Sequence, residues 1–168
     1  MSSKKMTRRK FVEKSATMAA GLSAVSSIAQ ADFLSSSKVS KVTISAVDSN
    51  FEREPLIKPY RFKGSGVSEI WQTVSYLKTD TGLTGIGLGT QSVLWSDSKV
   101  FFANSENGGN ALMYAVTERA IQMMLGAKMD NPIDTLDQIL PEVFDYAKKI
   151  TRNPDLRKTY ALNALVCL

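Results

Sequence analysis

The chain of 168 residues carries 21 Lys and Arg against 16 Asp and Glu, one Cys and no His, which is enough for one domain with a modest core. Without an imidazole this chain alone builds no Ser-His-Asp triad, Cys-His dyad, His-ligated zinc site or His-held haem, and Cys167 as the only thiol rules out an internal disulfide and a CxxC pair. The six basic residues Lys4, Lys5, Arg8, Arg9, Lys10 and Lys14, set against Glu13, account for the whole net charge of +5, so the rest of the chain is neutral and no nucleic-acid partner is expected.

The basic start is followed by a weakly apolar run, Ser15 to Ile28, and by Ala29-Gln30-Ala31. This is the three-part layout of a secretory signal with an A-x-A cleavage site after Ala31. The run is too short and too rich in Ser, Ala and Gly for a spanning helix, which needs about 20 mainly apolar residues. Arg8-Arg9-Lys10-Phe11-Val12 resembles the twin-arginine signal. Residues 1–31 are therefore expected to address the chain to the twin-arginine translocase, with 32–40 as a linker and a mature protein working in the periplasm or outside the cell. A disordered basic tail is the alternative.

Val39 to Ser49 alternates as a strand does, with Val42, Ile44 and Ala46 on one side. Phe51 to Ser68 holds Pro55, Pro59, Gly64 and Gly66 among charged groups and is predicted to be a long loop. Glu69–Thr79 and Leu83–Gly89 flank Asp80-Thr81-Gly82, a hairpin signal in which Gly82 supplies positive φ. Together these predict a three-stranded antiparallel meander.

The second half is predicted to be helical, giving an α+β chain. Ala111–Leu125 has helical apolar spacing with Gly126 as its C-cap. Asn131-Pro132 opens a helix whose stripe is Ile133, Leu136, Ile139, Leu140, Val143, Phe144 and Ala147, with Pro141 expected to break or kink it. Asn153-Pro154 is expected to open a last helix through Leu156, Tyr160, Leu162 and Leu165, and Ala164 to Leu168 is apolar on every side with no capping residue.

Gly85, Gly87 and Gly89 lie at period two inside a hairpin arm, so they clear one strand face for close approach and do not form a dinucleotide loop. Asp134 and Asp137 suit a helix start, and Met123-Met124 suits core filling. Arg53, Lys58, Arg61 and Lys63, interleaved with Phe51, Tyr60 and Phe62, fit either a solvated loop or recognition of a small anion.

Trp71 to Gly87 resembles the hairpin of the N-terminal capping domain of the enolase superfamily, in its mandelate racemase and muconate lactonizing enzyme group. Asp130-Asn131-Pro132-Ile133 and Ala161-Leu162-Asn163-Ala164-Leu165 are similar to that group in the same order. The resemblance implies a capping domain over 41–160, with 161–168 starting a helix that leads into a (β/α)₈ barrel absent from this sequence. In such enzymes the barrel supplies the carboxylates that hold Mg²⁺ and the Lys or His that takes a proton alpha to a carboxylate. The resemblance therefore implies no catalytic residue, metal ligand or cofactor within this chain, which would be a truncated part of a racemase, epimerase, dehydratase or cycloisomerase. The cap's stretches after its first and third strands, here Phe51–Ser68 and Thr90–Asn107, would face a small carboxylate substrate, and Arg53, Tyr60, Arg61, Gln91 and Trp95 are the candidates. A free-standing periplasmic α+β protein holding a small anion is the competing reading, a self-sufficient small enzyme has no visible acid, base or nucleophile set behind it, and homo-oligomerisation stays open.

Overall fold

The computed structural model describes residues 41–62 and 64–168. The predicted signal with Arg8, Arg9, Phe11 and the Ala31 cleavage site, and the linker 32–40, lie outside them. The chain is α+β, in the order β1 (Val42–Phe62), β2 (Ser65–Thr79), β3 (Thr84–Gln91), α1 (Val93–Ser96), α2 (Ser98–Met124), β4 (Lys128–Met129), α3 (Pro132–Thr151) and α4 (Lys158–Ala164). The antiparallel sheet runs β3-β2-β1-β4, adding to the expected meander a short fourth strand that pairs with Val42 and Thr43.

The segment Phe51–Ser68 is not a loop. β1 and β2 continue as one long hairpin to a turn at Gly64 (φ 80°), pairing Phe51 with Thr73 and Phe62 with Ser65. The prolines that argued for a loop are accommodated because β1 has β2 on one side only along this stretch, and the register shifts between Pro55 and Tyr60. An unpaired strand side and a bulge are the two places in a sheet where a missing N–H costs nothing. The β2–β3 turn is as expected, with Gly82 at φ 86°. Asp80 ties that turn to the first strand by accepting from the Thr43 amide (3.0 Å), a bond that holds its carboxyl below the usual carboxylate range.

The second helix begins at Ser98, thirteen residues before the apolar periodicity becomes readable at Ala111, with an interruption at Ser105 (φ 66°). The obscuring residues are Asn104 to Asn110, rich in Asn, Gly and Ser, and tertiary contacts hold them helical. Gly109 lies so close to Val93 that an added Cβ would stand 2.6 Å from Val93 Cγ2, while Asn110 Oδ1 accepts from the Val93 amide at 2.8 Å. α2 ends at Met124, and Gly126 (φ 79°) turns the chain so that its amide reaches Ile44 O at 2.8 Å, which joins the helix end to the sheet.

α3 starts as predicted, with Asn131 Oδ1 accepting from Ile133 N at 3.0 Å and Pro132 in the first turn. It runs unbroken through Pro141, contrary to a break there, because Ile139, Leu140, Val143 and Ala147 are buried on either side of it while Pro141 itself is exposed. Ile133, assigned to the stripe, is exposed. Asn153-Pro154 forms a turn and not a helix start; Asn153 O accepts from Leu156 N (3.2 Å), and α4 begins only at Lys158.

One face of the sheet packs on the helices, around Val93, Leu94, Val100, Met113, Val116, Ala120, Met124, Val143, Ala147, Tyr160 and Ala161. Met124 is core filling, as read from the sequence. The last residues do not stand free, since Ala164, Leu165 and Cys167 are buried. Their backbone lies across Gly87 and Gly89 of β3, where Ser75 Oγ donates to Cys167 O and a Cβ on Gly87 would overlap that same carbonyl. The glycine stripe thus admits the close approach expected of it, here by a second backbone.

Candidate functional site

The helix-facing side of the long hairpin is fixed by a run of aromatics. Phe51 stacks on Trp71 (centroids 4.8 Å, 8° between planes) and meets Tyr114 of α2 at 4.7 Å, an arrangement that adds to plain burial. Ser49 Oγ and the Tyr114 hydroxyl both contact the Glu118 carboxylate, the latter at 2.8 Å. Burial pushes the Tyr114 phenol up to about 12; Glu118 adds to the rise, while the Ser49 hydrogen bond opposes it. Because the folded value lies above the ordinary one near 10, the stabilisation is complete below that pH and is lost as pH rises through about 12. Alkaline unfolding followed by circular dichroism is expected to show stability falling across that window, and a smaller fall for Tyr114→Phe; an unchanged alkaline limb in the variant would contradict this.

Arg53 lies at the outer end of this run. Its Nε and Nη2 meet Glu69 at 2.9 and 2.8 Å, and its guanidinium lies 5.3 Å from the Trp71 ring centroid. The bidentate bond to Glu69 raises the Arg53 pKa and, reciprocally, lowers that of Glu69. Glu106 of α2 caps the bulge beyond by accepting from Ser68 N (2.9 Å) and Ser68 Oγ (2.5 Å). Arg53 therefore forms a cross-strand pair of the hairpin, next to the Ser68–Glu106 link to α2.

Tyr60 and Trp95 come together on a different surface. Phe62 lies 6.1 Å from Tyr60 and 5.0 Å from Trp95, all near-parallel, in a ladder that joins the hairpin tip to α1. Tyr60 and Trp95 stay 58% and 65% exposed. Arg61, on the alternate strand side, lines a shallow cleft of about 480 Å³ with Pro59, Gly64, Ser65 and Gly66. Gln91 is elsewhere. It is 2% exposed and turned into the core, where its Nε2 donates to Thr117 Oγ1 at 2.6 Å.

The structure thus brings Tyr60 and Trp95 to one rim, leaves Arg61 beside it, and separates Arg53 and Gln91 from it. Phe62, the rung that connects them, was seen in the sequence only as an aromatic among charges; the spacing Tyr60-x-Phe62 is the strand signal that pairs it with Tyr60. Among the described residues no group of three or more Cys, Asp and Glu side chains converges as a metal site, and no helix is long and apolar enough to cross a membrane.

No protein-family model matches the sequence, and no curated protein matches it. Solved structures do. A mandelate racemase/muconate lactonizing protein from Herpetosiphon aurantiacus is 14% identical over 79% of this chain and 29% of its own, with a TM-score of 0.41. The L-talarate/galactarate dehydratase from Salmonella typhimurium LT2 is 16% identical over 66% of this chain and 25% of its own (TM-score 0.43). A dipeptide epimerase from Enterococcus faecalis V583, solved with Mg and the dipeptide L-Leu-L-Tyr, is 17% identical over the same shares (TM-score 0.38). This chain spans between 25% and 29% of the length of these three proteins. The likenesses are distant, and at such identities function does not travel with fold.

Proposed function

We propose that this chain is the N-terminal, substrate-capping portion of an exported enzyme of the mandelate racemase/muconate lactonizing type, with no catalysis of its own. The observation that carries the reading is the stacking of Phe62 on Trp95. It unites the stretch after β1's first half with the stretch after β3, the two that in the resembled group close over a barrel mouth and select the substrate. The Trp71–Gly87 hairpin, with its glycine stripe serving close backbone packing, supports the same reading.

In this role Tyr60, Phe62 and Trp95 offer an aromatic rim that keeps water from a bound molecule, and Arg61 contributes positive charge beside it for a small carboxylate. In such enzymes a bound Mg²⁺ would supply electrostatic stabilisation to a carboxylate substrate. The described residues do not fit the ion, since they offer no converging carboxylates; the barrel would hold it and supply the base. The parent reaction is a racemisation, epimerisation, dehydration or cycloisomerisation. Arg8-Arg9-Lys10-Phe11-Val12 supports export by the twin-arginine translocase to the periplasm or beyond.

The test is the intact mass of the native gene product recovered from the periplasmic fraction. A mass above the 18.4 kDa of this chain, by the roughly 250 residues of a barrel, is expected. A product equal in mass to residues 32–168 would overturn the cap reading in favour of the free-standing anion binder, for which small carboxylates should raise the melting temperature.

A further inference from the structure

The two edges of the sheet differ. β4 covers one edge only at Val42 and Thr43, whereas β3 forms the whole of the other. Thr79 N donates to Leu83 O at 2.9 Å, which makes this a directly hydrogen-bonded antiparallel pair. The register continues through Leu77↔Gly85, Ser75↔Gly87 and Thr73↔Gly89 without a shift. In such a ladder every second residue turns its amide and carbonyl to the neighbouring strand. Gly85, Gly87, Gly89 and Gln91 therefore face β2, and the peptide groups of Thr84, Ile86, Leu88 and Thr90 face outward. Thr90 O bears this out by accepting from Asn163 Nδ2 at 3.1 Å on the outer side. Among the described residues nothing occupies the outward groups of Thr84, Ile86 and Leu88.

These same residues carry the apolar side chains of the sheet's other face. Ile86 and Leu88 are 71% and 77% exposed, next to their register partners Tyr76 and Val74. Folded proteins guard such an edge with a lysine, a proline or a bulge. From Thr84 to Gln91, β3 has none of these and no charge at all.

We infer that the outer edge of β3 is a dimerisation strand, to which β3 of a second copy of this chain adds antiparallel. The chemistry asked of the occupant is that of a neutral strand with apolar side chains on one face, and β3 is its own complement. Because Asn163 already engages Thr90 O, pairing falls on Thr84, Ile86 and Leu88. A two-fold axis then sets Ile86 opposite Ile86 of the second copy and Thr84 opposite Leu88, each facing pair exchanging both of its hydrogen bonds. The joined sheets carry an unbroken apolar band from Tyr76 through the two Ile86 side chains to Tyr76 of the second copy, with no like charges opposed.

Sedimentation velocity of the full chain over a wide concentration range is the test. Wild type is expected to sediment as a dimer. Ile86→Pro removes an amide that points away from β2 and so spares the internal ladder, and Leu88→Lys places a charge on the edge; each is expected to weaken dimerisation about a hundredfold with an unchanged far-ultraviolet spectrum. In a Cys167→Ser background, Ile86→Cys is expected to form an inter-chain disulfide under mild oxidation, since facing Cα atoms about 5.5 Å apart suit one, while Gly85→Cys is not. Should Ile86→Pro fail to fold, the other variants decide. A wild type that is monomeric at every concentration, a dimer that survives Leu88→Lys, or crosslinking at Gly85 in place of Ile86 would each overturn the inference.

Discussion

Gly87→Ala is expected to destabilise the protein by about 3 kcal/mol, near the upper end for overpacking, and to lower its melting temperature by about 10 °C. The added methyl would overlap the carbonyl oxygen of Cys167, and it would stand 2.9 Å from Ser75 Oγ. The first neighbour is backbone, and Ser75 Oγ is held by its hydrogen bond to that same carbonyl. Backbone has to move, and the segment that moves carries the buried Leu165 and Cys167, so apolar surface is exposed and Ser75 loses its acceptor. Gly85→Ala is the control. It sits two residues away on the same strand face with nothing within 4 Å, and its effect is expected to stay within about 0.5 kcal/mol. Thermal unfolding measures both, and the reaction rate of Cys167 with a thiol reagent adds an independent readout that should rise only for Gly87→Ala. Equal effects at the two glycines would refute the argument.

Asp97→Ala is expected to cost about 2–4 kcal/mol, combining a lost helix cap with an orphaned amide. Asp97 is 2% exposed. Its Oδ1 caps α2 by accepting from Lys99 N (2.9 Å) and Val100 N (3.3 Å), while Oδ2 accepts from Arg157 N at 3.0 Å, just ahead of α4. One carboxylate thus serves two helix starts that are 60 residues apart. Asp97→Asn keeps an oxygen for the cap but turns an NH₂ toward the Arg157 amide, so denaturant melts should rank wild type above Asn and Asn above Ala. An alanine variant as stable as wild type would show that water replaces both bonds without loss.

The elements whose signals are local were legible in the sequence. Gly82 needs positive φ, Asn131-Pro132 is an N-cap with proline where no donor is required, and the stripe from Leu136 to Ala147 has a single buried face. The missed elements depend on groups distant in the chain. Nothing local marks Pro55 as a strand residue, because what admits it is the absence of a neighbour on one side of β1. Nothing local marks Gly109 as helical either, since Val93 sets its size. Gln91 follows a strand of glycines and reads as a mouth residue, yet Thr117, 26 residues on, draws it inward. At the site, Tyr60, Arg61 and Trp95 follow from the resemblance, which sets the stretches Phe51–Ser68 and Thr90–Asn107 toward a substrate. The structure changes the scaffold beneath them to a strand and a short helix, while Glu69, 16 residues from Arg53, engages that still-exposed cation in a cross-strand pair.

The contact between Ser75 and Cys167 spans 92 positions of the chain. A growing polypeptide therefore makes the whole β2–β3 hairpin long before the residues that roof its glycines emerge, and during that interval one side of the sheet has no lid. Contacts of such separation are slow to form because the intervening chain must first be ordered. Closure over Gly87 and Gly89 thus waits on residues 166–167, long after the hairpin beneath them is made.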